Sequence, residues 1–315
     1  MTQDSLQLDG RVVIVTGAGR GLGRAHALEL VRHGARVVAN DLSVALDGTA
    51  EHPRTGGGNP RSAADDVVDE IRALGGEAIA NHDDIADWSG AQRAVADALV
   101  SFSRLDAVVN NAGVVRDRMF VNATEDEWDT VVRVHLKGHF CVSRHAAAHW
   151  RDLAKAGDTP SGRIVNTTSG AGLLGSVGQA AYSAAKAGIV GLTLVQAAEL
   201  ARYGVTANAI APSARTRMTA TVFADTMAPP ADAGAFDAMA PENVSPLVAW
   251  LCSVDSSHVT GRVFEIEGGK LTVMDGWQRV ATYDAGERLQ VARVGAIVSD
   301  LLSAAPPPLA AYGAT

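Results

Sequence analysis

The chain has 315 residues, 47% of them hydrophobic and 20% charged, and a mean hydropathy of +0.07, the make-up of a well-packed α/β protein. Its net charge of −8 comes without a basic run, which argues against binding nucleic acid or an anionic membrane. The two cysteines, Cys141 and Cys252, lack paired or metal-ligand spacing. They read as small core residues of a reducing compartment, and no metal site is expected.

Residues 11–16 (RVVIVT) read as a buried strand, followed by the turn Gly17-Ala-Gly-Arg20-Gly21-Leu22-Gly23 and a helix to about His33. Strand, glycine turn and helix in that order suit a dinucleotide. Glycine lets the backbone approach the pyrophosphate, and the helix N-terminus offers unpaired N–H groups. A second strand (ARVVAN) runs into Asp41, 18 residues beyond Gly23, close to the roughly 20 at which a carboxylate receives ribose hydroxyls. Asp41 would repel a 2'-phosphate and favours NAD. Arg20 pulls the other way as a phosphate partner, or it faces solvent or the pyrophosphate.

Residues 43–62, with a glycine triplet and two prolines, read as a surface loop or lid. A helix over 63–74 and a strand (EAIAN) lead to Asp84 and Ile85, which either cover the adenine edge or belong to an ordinary loop. A helix over 88–102 and a strand over 106–110 end at Asn110-Asn111-Ala112-Gly113, a small-residue turn against which a cofactor can lie. Thr124 with Glu127 three residues on is a capping-box pattern and opens a long helix to about residue 150. A buried strand (GRIVNTTS) then delivers Ser169.

Tyr182 and Lys186 stand one turn apart on the next predicted helix, so the ammonium can sit beside the phenol. A phenol ionises near pH 10; a neighbouring cation is expected to lower that by roughly 2 to 3 units, towards a useful acid/base range. Ser169 can hydrogen-bond the same substrate oxygen. After a strand (VTANAIA) and Pro212, residues up to about 240 form an irregular Ala- and Met-rich stretch suited to covering a bulky apolar substrate. A helix over 241–253 and a strand over 262–266 complete the alternation. Beyond Lys270 a helix is predicted near 285–302, and the Pro- and Ala-rich end reads as unstructured unless docked.

Strands alternating with helices imply a doubly wound parallel α/β sheet with ligands at the strands' carboxyl ends. The organisation expected is an NAD-binding domain over 1–269 and a C-terminal extension over 270–315. The N-terminal residues lack a leader pattern, no charge-free apolar run reaches about 18 residues, and the last three residues are not Ser-Lys-Leu. A cytoplasmic protein without a membrane span is expected.

Thr16 to Gly23, Asn110 to Gly113, Ser169, Tyr182-Ser-Ala-Ala-Lys186 and Asn208-Ala-Ile-Ala-Pro212 together resemble the short-chain dehydrogenase/reductase family over about residues 8–268. The resemblance implies a single Rossmann-type domain with a seven-stranded parallel sheet, Tyr182 as acid/base, Lys186 as its partner on the nicotinamide ribose, and Ser169 as anchor of the substrate oxygen. His135 stands where many members have a relay Asn; it either joins the relay or is a core residue. Pro212-Ser213 replaces the usual Pro-Gly, and Thr216 is nearest to the Thr that often meets the carboxamide.

Finer features, among them AGVVRDRMF, WDTVVRVHLKGHF and APSARTRMT, are similar to the (3R)-hydroxyacyl-CoA dehydrogenase unit of peroxisomal multifunctional enzymes and its bacterial stand-alone relatives. The substrate this implies is a 3-hydroxyacyl-CoA. The alternatives are a hydroxysteroid and, in another class, a non-catalytic NAD-binding scaffold. Arg116, Arg118, Arg215 and Arg217 are candidates for CoA phosphates, or are solvated loop residues. The small-residue helix from Tyr182 to Tyr203 packs within its subunit or, as in the family, against a copy of itself in a homodimer or homotetramer.

Overall fold

β1 (Val12–Thr16) is buried at every position, as a run of β-branched residues at the centre of a parallel sheet should be. Its alternate residues face opposite ways. Val13 and Val15 join one core layer, and Val12 and Ile14 join the other. The computed structural model describes residues 8–45, 47–49, 62–219, 227–232, 234–274, 276–307 and 309–312.

The other strands are β2 (Arg36–Asn40), β3 (Ala78–Asn81), β4 (Ala107–Asn110), β5 (Arg163–Thr167), β6 (Thr206–Ser213), β7 (Val263–Glu267) and β8 (Lys270–Met274). They lie in the order β3-β2-β1-β4-β5-β6-β7-β8. The seven expected strands all run parallel. An eighth, β8, extends the sheet because the chain reverses at Gly268, with φ 54°, and pairs antiparallel with β7.

On one face lie α1 (Gly21–Arg32), α2 (Ala63–Ala73) and α8 (Ser245–Cys252), closing a layer around Leu30, Ile71 and Leu251. On the other lie α3 (Trp88–Phe102), α5 (Gly138–Ala156) and α7 (Ala180–Leu200), around Val95, Val142 and Trp150. The buried Trp150 indole also donates to the Leu105 carbonyl at 2.7 Å, so its polar edge is satisfied.

The predicted long helix is α4 (Glu125–Val132) joined to α5 through a π-helical turn at Arg133–Lys137. Its capping box is formed by Thr124 and Glu127. α6 (Gly170–Leu174) is a short helix just past β5, and α9 (Val291–Ala304) lies in the chain's last part with no buried residue. The segment from Ala180 to Tyr203 is long and apolar enough to cross a membrane by length and composition alone, but α7 buries Ile189, Thr193 and Gln196 in the fold. Residues 50–61 of the predicted loop or lid, and 220–226 of the predicted substrate cover, lie outside the described residues.

Candidate active site

The topology reverses at β1, with β2 on one side and β4 on the other. Such a switch point opens a crevice at the carboxyl ends of the strands. There Thr16 Oγ1 accepts from the backbone N–H groups of Asn111 at 2.9 Å and Ala112 at 3.1 Å, tying the ends of β1 and β4 together. Two glycines are fixed by packing. A Cβ on Gly17, at φ 63°, would meet Ala112 Cα at 2.8 Å, and one on Gly23 would meet the Gly17 carbonyl oxygen at 2.0 Å. At the start of α1, Arg20 is an N-cap with no side-chain capping bond, so the first N–H groups of the helix remain available to an anion.

Asp41 follows β2. Its carboxylate accepts from Gly19 N–H at 2.9 Å and Ser43 N–H at 2.7 Å, which holds it at the rim of the glycine turn. A cleft of about 370 Å³ runs from this rim across the ends of the strands. Its walls contain Gly17, Arg20, Gly21, Leu22, Asp41, Asp84, Ile85, Asn111, Ala112, Gly113, His135, Tyr182, Lys186, Pro212 and Thr216. Gly23 lies behind them against Gly17, and Ser169 is beside Tyr182. Residues scattered over most of the sequence thus converge on one crevice. An uncapped helix start, a carboxylate at the end of β2 and a small-residue wall fit a dinucleotide.

Lys186 is 2% exposed, and its Nζ donates to the Thr167 carbonyl at 2.7 Å. The ammonium lies 5.4 Å from the centroid of the Tyr182 ring. Burial pushes Lys186 down to about 7. Tyr182 departs from the expectation of a lowered pKa: burial pushes its phenol up, against a smaller lowering by the Ser169 hydroxyl, and Asp117 adds to the rise. The one-turn spacing brings the amine near, yet the amine is directed at the β5 carbonyl. Desolvation of the phenolate therefore dominates the shift. Ser169 is the N-cap of α6, and its Oγ accepts from Ala171 N–H at 3.2 Å.

His135 lies in the π-helical turn, fully enclosed. Its Nε2 sits 2.8 Å from the Val114 carbonyl oxygen and 3.1 Å from Val114 N–H, while Nδ1 has no partner. Burial, with Lys186 nearby, lowers its pKa to about 3, so it is neutral. His139, one turn on and also buried, is held neutral for the same reasons. Sequence reading missed His139, since a helix pattern alone does not say which face meets Lys186. It also missed Asp117, raised in pKa by burial and bonded to Gln179 at 2.9 Å. Asp84 pairs with Arg133. Of the four candidate phosphate arginines, Arg217 lines the cleft. Arg116 donates to the Asp47 carbonyl at 2.6 Å, Arg118 pairs with Glu127, and Arg215 pairs with Asp237. Among the described residues no His, Cys, Asp and Glu cluster could hold a metal ion.

Residues 11–226 match the family model for short chain dehydrogenases, and the chain belongs to that family of NAD(P)-binding oxidoreductases acting on CH–OH groups. It is 48% identical to the hydroxyacyl-CoA dehydrogenase ChsB1 of Mycobacterium tuberculosis over 279 residues, 87% of this chain and 82% of that protein. Over 274 residues it is 43% identical to the peroxisomal multifunctional enzyme type 2 of Mus musculus, spanning only 34% of that longer protein. The crystal structure of a short chain dehydrogenase from Mycobacterium avium superposes with a TM-score of 0.85 at 56% identity, covering 98% of this chain and 99% of that one.

Proposed function

We propose that this chain is an NAD-dependent dehydrogenase that interconverts a 3-hydroxyacyl-CoA and the corresponding 3-oxoacyl-CoA, as in β-oxidation of a fatty acid or steroid side chain. The observation that carries this reading is the convergence of Ser169, Tyr182 and Lys186 at the cleft that begins at Asp41. The acyl-CoA assignment draws on the name of the 48% identical mycobacterial relative. NAD rather than NADP follows from Asp41, whose carboxylate at the end of β2 would oppose a 2'-phosphate.

Gly17, Arg20, Gly21, Leu22 and Gly23 would hold the pyrophosphate end, Asp41 the adenosine ribose, and Asp84 and Ile85 the adenine edge. Asn111, Ala112, Gly113, Pro212 and Thr216 would line the nicotinamide end. When bound, the oxidised nicotinamide supplies the hydride acceptor and a positive charge beside the phenol. Ser169 Oγ donates a hydrogen bond to the substrate oxygen. Tyr182 Oη exchanges a proton with that oxygen: as phenolate it takes the hydroxyl proton in oxidation, and as neutral phenol it returns it in reduction. Lys186, fixed on Thr167, stabilises the phenolate side of that exchange, and neutral His135 supports the Tyr182 ring edge-on. The protein's own contribution is orientation and proton transfer.

The domain assignment we favour is a dehydrogenase domain over 1–269 with an extension over 270–315. A homodimer or homotetramer through the exposed faces of α5 and α7 is supported by Phe140, Leu194 and Val195, which lie open there. A cytoplasmic location is supported by two free, buried cysteines. The test is NADH formation with (3R)- and (3S)-hydroxyacyl-CoA thioesters and a panel of hydroxysteroids, each with NAD and NADP. Turnover of the thioesters alone is expected. Turnover of steroids alone would replace the substrate, and tight NAD binding with no turnover of any alcohol would favour a scaffold.

A further inference from the structure

The end of the chain returns to the catalytic side. Trp277 is fully exposed and α9 buries nothing, yet the residues at 311–312 make specific contacts. Tyr312 N–H donates to the Gly175 carbonyl at 3.1 Å, and Val177 N–H donates to the Tyr312 carbonyl at 2.9 Å. Ser176 and Tyr312 form a parallel β-bridge. The Tyr312 ring rests on Gly170: a Cβ there would meet Tyr312 Oη at 2.7 Å and Cε2 at 2.8 Å. The Tyr312 phenol is raised in pKa by partial burial and by the nearby Glu265 carboxylate on β7.

These contacts grip α6 at both ends. Gly170 directly follows Ser169, and Gly175 directly follows the last residue of α6. The connection from Gly175 to Gln179 then leads into α7 and Tyr182. Its opposite edge is bound to the segment after β4. Arg118 N–H donates to the Gly178 carbonyl at 2.7 Å, and Gln179 Nε2 donates to Asp117 Oδ2 at 2.9 Å. The connection from Gly175 to Gln179 therefore carries two isolated bridges, Gln179 to Arg118 and Ser176 to Tyr312. Among the described residues neither core layer includes one beyond Ile266, so the packed interior does not depend on the segment around Tyr312.

We propose that the segment 309–312, centred on Tyr312, is a strap that positions Ser169 relative to Tyr182, with Tyr312 a positioning residue for the reaction. The proposal rests on the assignment of Ser169 and Tyr182 above. Holding the 175–179 connection from both edges fixes the distance between two hydroxyls that must meet one substrate oxygen, and misplacement of reacting groups by about 1 Å can cost roughly 100-fold in rate.

The experiment compares wild type with a chain ending at Pro307, with Tyr312→Ala, Tyr312→Phe and Gly170→Ala, and with Gly170→Ala in the shortened chain. A (3R)-hydroxyacyl-CoA and NAD are the substrates. The shortened chain and Tyr312→Ala should lose roughly 10- to 100-fold in kcat, with NAD affinity and melting temperature unchanged. Tyr312→Phe, which keeps the ring on Gly170, should recover most of that loss. Gly170→Ala should impair the full chain and add little in the shortened one, where the Tyr312 ring is gone. Amide exchange at Val177 should quicken in the shortened chain. Wild-type kcat in the shortened chain, or a kcat loss matched by equal losses of NAD affinity and melting temperature, would overturn the strap alone. Wild-type turnover by Tyr182→Phe would overturn the catalytic assignment, and the strap with it.

Discussion

The imidazole of His135 stands edge-on to the ring of Tyr182, centroids 5.2 Å apart and planes at 87°, and the bare Cα of Gly113 roofs it. A Cβ on Gly113 would lie 2.3 Å from His135 Cε1. Gly113→Ala is therefore expected to cost stability on the scale of overpacking, about 1–3 kcal/mol, and to disturb Tyr182. In a His135→Ala background the same substitution has room and should cost far less. Denaturant midpoints of the four proteins check this. Equal costs in both backgrounds would mean that the ring yields freely and does not brace Tyr182.

Tyr182→Phe removes one oxygen and keeps the ring against His135. The variant should fold, bind NAD and lose roughly 10²–10⁴-fold in kcat, the usual worth of a general acid/base. Because burial raises the phenol's pKa, the neutral form dominates at neutral pH. Oxidation needs the phenolate, so kcat/KM for the alcohol should climb through the alkaline range in wild type. The residual rate of the Phe variant should not show that climb. A flat wild-type profile would assign the proton to another group.

The sites that could be read from the sequence are those encoded by short-range pattern. β1, the glycine turn and α1 follow one another within a few residues, and Asp41 stands at a spacing that the strand–turn–helix geometry dictates. Tyr182 and Lys186 were legible because helical periodicity puts them on one face. The same periodicity does not say where a flexible side chain points. Lys186 donates to Thr167, and for that reason the expected drop in the Tyr182 pKa is absent. His139 comes near Lys186, Asp117 near Tyr182 and Tyr312 against Gly170 through contacts between segments distant in sequence, which no local pattern reveals. The eighth strand had a local cue, Gly268-Gly269 between two β-branched runs, but a hairpin at the edge of a parallel sheet interrupts the strand–helix alternation.

Asp41 offers a test of cofactor choice. Its carboxylate is held by Gly19 N–H and Ser43 N–H, so it cannot swing away from an incoming 2'-phosphate without breaking both bonds. Asp41→Ser should lower the ratio of kcat/KM for NAD over NADP by about tenfold or more, the equivalent of roughly 1.4 kcal/mol. Gly19→Ala should weaken NAD binding by displacing this rim, since its Cβ would lie 2.4 Å from Ala63 Cβ and 2.7 Å from Asp41 Oδ2. An unchanged ratio in Asp41→Ser would place the discrimination elsewhere, with Arg20, Arg133 and Arg217 all lining the cleft.

His26 links the fold to pH independently of catalysis. It is fully buried on α1, its Nδ1 lies 2.9 Å from Ser245 Oγ, and Nε2 has no partner. Burial lowers its pKa to about 3 from 6.5. Between those values the unfolded chain binds a proton that the folded chain refuses, so stability rises with pH across that window. The contribution is fully present above about pH 6.5 and is lost as pH falls towards 3. One such group adds a slope of about 1.4 kcal/mol per pH unit. His135 and His139, also lowered by burial, add to the same trend. His26→Gln cannot titrate, so subtracting its stability curve from that of wild type isolates the one histidine. Urea unfolding between pH 4 and 6.5 should give a wild-type curve steeper than the variant's by about that slope. Parallel curves would mean that His26 takes up its proton within the fold, and that the α1–α8 contact opens before the molecule unfolds.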